Sequence, residues 1–320
     1  MQDLESLFVK AINYDYPEEI PIQVGCLPAA FLEYGDHLRK IFAKYPEITN
    51  PMFAEYDYEK HAPKSFRVGE FTDAWGCVWS NKIEGMEAYV TGHPIKNRED
   101  ILTFEVPEED AGLPHGFMYL RLLDLRGFEE AMIDFAEECD EIQILIDKVC
   151  EYNVRQLNVY MGYFKKIVWL GDDNGMQTGL AIGADKWRKY LKPAYKKIYD
   201  VAHANGKYVY MHTDGQIYEI LPDFQEAGAD IINPQYRANG IDNLVRVCKG
   251  KIPISLDLDR QLFPFCSPKD LRDHVRETVE KMYLPEGGLG INLEVGQDVS
   301  LENIDALLSA VNEYRFYKGK

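Results

Sequence analysis

Several things are missing from this 320-residue sequence. It has no CxxC pair, no low-complexity tract and no apolar run near the roughly 18 residues that cross a bilayer. The six cysteines, Cys26, Cys77, Cys139, Cys150, Cys248 and Cys266, are scattered. That excludes a compact cysteine-based zinc knuckle and points to reduced thiols in a cytoplasmic protein. Basic residues are few: 35 Lys and Arg stand against 53 Asp and Glu, for a net charge of −18. Nucleic-acid binding needs clustered cations on phosphates, so a nucleic-acid partner is excluded. The opening stretch, MQDLESLFVKAINYD, has no basic region and no small-residue cleavage site, and reads as an acidic amphipathic helix rather than a secretory leader. No Pro/Gly/Ser-rich linker divides the chain, so one domain over 1–320 is expected.

What is present is a rhythm. From residue 117 onward, short apolar runs alternate with amphipathic stretches. The runs are FMYLRLL (117–123), IVWLGDD (167–173), KYVYMH (207–212), DIINPQ (230–235), IPISLD (252–257) and GLGINLE (288–294). Helical patterns follow them, at 128–137, 139–163, 185–206, about 217–227, 241–248, 267–283 and 300–314. Continuous rather than alternating apolar runs suit parallel strands covered on both faces. Six strand–helix units predict α/β architecture, either closed as a (β/α)8 TIM barrel or open and doubly wound. The remaining strands are sought in IPIQVG (20–25) and around Arg67–Val78. Residues 1–116 are otherwise irregular and read as a segment capping the active-site end.

In such a barrel, chemistry sits at the carboxyl ends of the strands. There the sequence places Asp172, Asp173 and Gln177, then His212, Thr213 and Asp214. Next come Asn233, Gln235 and Tyr236, then Asp257 and Asp259, and last Asn292 and Glu294. Turn chemistry accounts for each taken singly. Asp214 suits the N-cap of the helix after Gly215, Asn233-Pro234 suits a turn, and His212 suits a histidine bonded to a backbone carbonyl. Taken together they form a convergent ring of acids, whose repulsion and desolvation a metal ion, a shared proton or a cationic substrate would relieve. His212 and Asp214, two apart on an extended strand, face the same side. With Glu294 they make three N/O ligands, the number a catalytic zinc uses; iron and manganese suit the same set.

The stretch from Trp169 to Gln235 resembles the uroporphyrinogen decarboxylase superfamily. The resemblance rests on Asp172-Asp173-x-Gly175-x-Gln177, Trp187 with Lys192-Pro193, and His212-x-Asp214-Gly215. EGGLGINLE, SLENIDALL and DAWGCVW extend it over about the whole chain. It is nearest the decarboxylase-like branch that contains cobalamin-dependent methyltransferases and O-demethylases. That branch implies a distorted barrel with a deep cleft, and zinc held by a His-x-Cys strand end and a cysteine near the last strand. Here Asp214 takes the thiolate's place, and Glu294 is the candidate third ligand. The arginine-bearing loop of true decarboxylases is matched by a segment with Gly25, Cys26 and Leu27.

The resemblance therefore implies an enzyme moving a methyl group from a small methoxylated or methylated donor to cobalamin on a corrinoid protein. His212, Asp214 and Asp173 are the expected catalytic residues. His212, Asp214 and Glu294 are the expected ligands of zinc or another divalent metal. Asp172, Gln177, Asn233, Gln235, Tyr236, Asp257, Trp75 and Trp79 are expected to contact substrate. The alternatives are a decarboxylase of a porphyrinogen-like substrate and a non-catalytic small-molecule-binding barrel. Pairing of two copies as a homodimer is left open.

Overall fold

The structure, a computed structural model, describes residues 3–108 and 112–319. Its strands, in chain order, are β1 (Ile22–Cys26), β2 (Gly69–Thr72), β3 (Val78–Asn81), β4 (Tyr89–Gly92), β5 (Ile167–Gly171), β6 (Tyr208–Thr213), β7 (Ile231–Pro234), β8 (Ile254–Asp257) and β9 (Leu289–Val295). Six of them, β1 and β5–β9, are the parallel strands of the α/β, distorted (β/α)8 class expected from the sequence. β2, β3 and β4 form a separate three-stranded sheet. The Arg67–Val78 segment thus supplies a strand, but not to the parallel set. No helix among the described residues is long and apolar enough to cross a membrane.

The chain divides into two compact units. One contains 1–69, 81–89 and 235–320; the other contains 70–80 and 90–234. In the first, β1 pairs with β9 and β9 with β8, all parallel, with Gly25 opposite Glu294 and Asp257 opposite Asn292. Ile254, Leu256, Ile291 and Leu293 are buried, as are Leu307, Leu308 and Val275 on the helices Leu301–Tyr314 and Pro268–Met282. Ser267 and Asp270 close a capping box on the latter helix, as its Ser-Pro start predicts.

In the second unit β5, β6 and β7 run parallel, with Gly171 opposite His212 and His212 opposite Asn233. Val168, Leu170, Val209, Met211 and Ile231 are buried, and so are Tyr195, Ile198 and Tyr199 on the helix Lys192–Ala204. That helix is preceded by a π-helical turn at Trp187–Leu191. Pro193 has no N–H to close the regular ladder there, and a widened turn absorbs the gap.

One expected strand is a helix. FMYLRLL is not extended; Tyr119–Arg126 is helical. Its buried Tyr119, Leu122 and Leu125 recur every three residues, the spacing of one helix face. A second correction concerns Asp214. The helix after it begins only at Leu221, and Ile220 holds the N-cap position. Asp214 therefore does not cap it.

Candidate active site

The end of β5 and the end of β6 lie side by side, and each delivers chemistry. Asp173 follows β5, and its carboxylate accepts the Asp214 backbone N–H at 3.1 Å. His212, in β6, places Nε2 3.8 Å from Asp173 Oδ1 and 3.3 Å from Asp214 Oδ1. His212 Nδ1 donates to the Asn233 side-chain oxygen at 2.7 Å, across the β6–β7 register. A fourth group arrives from outside the strands. His115 sets Nε2 3.1 Å from Asp173 Oδ2, and its ring centroid lies 5.5 Å from that of His212.

Glycine makes this tight geometry possible. The turns after Asn174 and Asp214 touch backbone to backbone: Gly175 N–H donates to Asp214 O at 3.1 Å. A Cβ on Gly215, at φ +84°, would fall 2.1 Å from Gly175 O. Only a residue without a Cβ fits there.

Electrostatics tie the groups together. Burial alone would lower His212, but its hydrogen bond to Asp214 and the charges of Asp214 and Asp173 outweigh it and raise the imidazole to about 9. Burial opposes protonation of His115 as well, and Asp173 outweighs it, so His115 is also shifted upward. Asp173 is shifted downward: burial opposes its charge, and the hydrogen bond and charge of His115, then His212, outweigh that. All three shifts favour charged imidazole beside charged carboxylate.

The same cluster suits a cation. Among the described residues, His115, Asp173 and His212 offer ligand atoms all within 4.8 Å of one another. Two imidazole nitrogens and one carboxylate oxygen form a donor set for zinc, iron or manganese. Asn233 fixes His212 with its proton on Nδ1 and Nε2 turned to the cluster, the outer support that metal-binding histidines use.

The other expected site residues fall into distinct places. Asp172 is fully buried and accepts backbone N–H groups of Met118, Tyr119 and Leu120. Enclosed in this way, it presents no exposed surface. Gln177 is exposed. Trp75 is buried against Tyr152, at 4.5 Å between centroids, and acts as core packing. Trp79 donates its indole N–H to Asp73 at 3.0 Å and stacks on Phe71.

Glu294, Asp257, Gln235 and Tyr236 belong to the other unit. There Glu294 pairs with Arg260 at 2.5 Å, and Arg260 also reaches Asp257 at 3.3 Å. Asp257 accepts from Asn292 at 3.1 Å, and Tyr236 stands edge-on to His274. Gln235 forms an isolated bridge with Asp257. Glu294 thus has a guanidinium for its partner. Within the second unit, His115, Asp173 and His212 form a close ligand group, with Asp214 beside it.

The residue that strand-end reasoning misses is His115. It lies ahead of a helix, in the turn-rich stretch GLPHGF (112–117). A lone histidine between Pro114 and Gly116 was the available signal.

Comparison with known proteins agrees with the resemblance. Residues 122–314, more than half of the chain, match the family model described as Uroporphyrinogen decarboxylase (URO-D). A search of curated proteins returns no match. Among solved structures, a methyltransferase from Methanosarcina mazei superposes with a TM-score of 0.65 at 17% identity, covering 96% of this chain and 98% of that one. At that identity the likeness is one of fold. A B12-independent methionine synthase from Shewanella sp. W3-18-1, in complex with selenomethionine, reaches a TM-score of 0.43 at 10% identity over 79% of this chain and 74% of that one. A dihydropteroate synthase from Xanthomonas albilineans, with 4-aminobenzoic acid, reaches 0.32 at 12% identity over 45% and 52%. Neither of these two bears on the reading. With the family match spanning most of the parallel-strand region, this chain belongs to the uroporphyrinogen decarboxylase (URO-D) family.

Proposed function

We propose that this chain is a methyltransferase of the O-demethylase type, transferring a methyl group from a small methoxylated or methylated donor to cobalamin carried by a corrinoid protein. The observation that supports it is the His115–Asp173–His212 group, which meets the donor requirements of zinc or another divalent metal. A metal held there supplies Lewis acidity at the donor's ether oxygen, making the demethylated fragment a better leaving group.

The chain's own residues do the rest. Asn233 holds the His212 ring so that Nε2 faces the cluster. Asp173 holds His115 and, through the Asp214 backbone N–H, the turn after β6. The leaving oxygen needs a proton from solvent once its methyl is gone, and Asp214, whose Oδ1 lies 3.3 Å from His212 Nε2, is placed beside the cluster to relay it. Gln177, exposed four residues after Asp173, is available to the donor. The test is elemental analysis of the purified chain, followed by methyl-transfer assays with cob(I)alamin and a panel of ether, amine and thioether donors. The expected result is about one divalent metal per chain and transfer from at least one donor. Both should be lost in His115→Ala and His212→Ala. A metal-free protein with no transfer from any donor rejects the reading.

One observation favours a second reading, decarboxylation of a carboxylated substrate. With its proton held up to about 9, His212 is an acid at neutral pH. It can deliver the proton that replaces carbon dioxide on carbon. Carbon dioxide release by the metal-free protein, abolished by His212→Gln, would select this reading.

A further inference from the structure

The two adjacent aspartates after β5 do different work. Asp173 faces the cluster. Asp172 turns inward and is fully buried. Its Oδ2 accepts the N–H groups of Met118 at 3.2 Å and Tyr119 at 2.5 Å, and its Oδ1 accepts that of Leu120 at 3.0 Å. The Tyr195 hydroxyl donates a fourth bond, at 2.6 Å. The three amides are the open first turn of the Tyr119–Arg126 helix, which has no capping side chain of its own. A carboxylate is the group that such a helix end favours. Burial pushes the Asp172 carboxyl up, and the bonds from Tyr195 and the helix amides offset part of that rise.

His115 lies three residues before Met118. Its loop is held to β5 at a second point, where Gly116 N–H donates to Gly171 O at 2.8 Å. The His115 ring packs over that residue: a Cβ on Gly171 would meet Nδ1 at 2.7 Å. The far side of Asp172 is anchored too. Tyr195 also reaches Asn174 Oδ1 at 3.0 Å, and the Trp187 indole donates to the same oxygen at 2.7 Å. One end of β5 therefore fixes both the helix that follows His115 and the imidazole itself.

We propose that Asp172 is a positioning residue: by clamping the start of the Tyr119–Arg126 helix from the end of β5, it sets where His115 stands relative to Asp173 and His212. The role rests on the reading that these three side chains form the site. It does not depend on which reaction the site performs or on whether a metal fills it.

The test is the rate of carbethoxylation by diethyl pyrocarbonate, read by mass spectrometry at His115 and His212 in the full-length, metal-free chain. In Asp172→Asn, the His115 rate should rise about tenfold relative to His212, the size expected when charge-assisted hydrogen bonds are lost. General loosening would raise both rates together, so their ratio isolates positioning. Tyr195→Phe removes one of the four donors and should shift the ratio the same way by less; it decides the matter if Asp172→Asn does not fold. An unchanged ratio in the folded variants overturns the proposal. A chain that binds no metal, yet shows the selective rise at His115, would reject the metal reading and leave this one standing.

Discussion

At the scale of single residues, Asn233 shows how little of a site needs to touch the substrate. It is buried, and its side-chain oxygen accepts the His212 Nδ1 proton at 2.7 Å. Asn233→Leu keeps the volume and removes the acceptor. His212 is then free to rotate or change tautomer, and metal affinity should fall about 10–100-fold, the usual effect of losing such an outer partner. Competition against a chelator of known affinity measures it, and an unchanged affinity would show that Asn233 does not orient the ring. Asp173, His212 and Asn233 were all legible in the sequence because each stands where an apolar strand stops. His115 was not, because its place is set by Asp172 and Gly171, more than fifty residues away in the chain. Glu294 was legible as a strand-end acid, but its partner Arg260 was not, since the ion pair joins β9 to a short 3-10 helix that no local pattern connects to it.

At the scale of elements, the paired turns after β5 and β6 make the sharpest case. Gly215→Ala would place a methyl 2.1 Å from Gly175 O, in a left-handed conformation that L side chains avoid. Backbone cannot give way as a side chain can. We expect a loss of about 2–4 kcal/mol in urea denaturation, with His212 and Asp173 pulled apart as the turns separate. A variant of wild-type stability would mean that the turns relax independently. The element read wrongly from sequence has a plain cause. FMYLRLL is apolar enough for a buried strand or a buried helix, and periodicity over seven residues does not separate them. What settles it is the distant carboxylate of Asp172 at one end and Gly127, at φ +86°, at the other. The parallel strands were legible for the opposite reason: their apolar runs are bounded by turn residues on both sides, and polar residues mark where they stop.

At the scale of the whole molecule, charge and buried histidine set how stability responds to solution conditions. The chain has 18 more carboxylates than cationic side chains. Its exposed ion pairs, such as Lys196–Asp200, are worth little each, about 0–1 kcal/mol. The repulsion among unpaired acids therefore dominates the response to salt. Raising NaCl from about 10 to about 150 mM shortens the Debye length from about 30 to about 8 Å, and should raise Tm at pH 7.5. Near the sequence pI of about 4.8 the gain should vanish.

Lowering the pH has a second effect that runs against the relief of repulsion. His274 is buried, and its Nε2 accepts the Asp259 N–H at 3.2 Å. The Tyr236 ring stands edge-on at 4.7 Å. Burial pushes His274 below its ordinary value; Asp259 and Glu277 pull it up, and Arg237 pushes it further down. A protonated Nε2 would turn a donor against the Asp259 N–H. Because the folded value lies below the unfolded one, the stability is fully present above about pH 6.5 and is lost as pH falls through the folded value. His274→Gln keeps an acceptor for Asp259 and cannot be protonated. At moderate salt, where the global charge term is damped, the wild type should lose stability relative to this variant as pH falls below about 6.5. The difference should approach about 1–3 kcal/mol, the cost of breaking a buried hydrogen bond. Parallel thermal melts across that range measure it, and two curves that run together would show that His274 takes up its proton in the folded chain without cost.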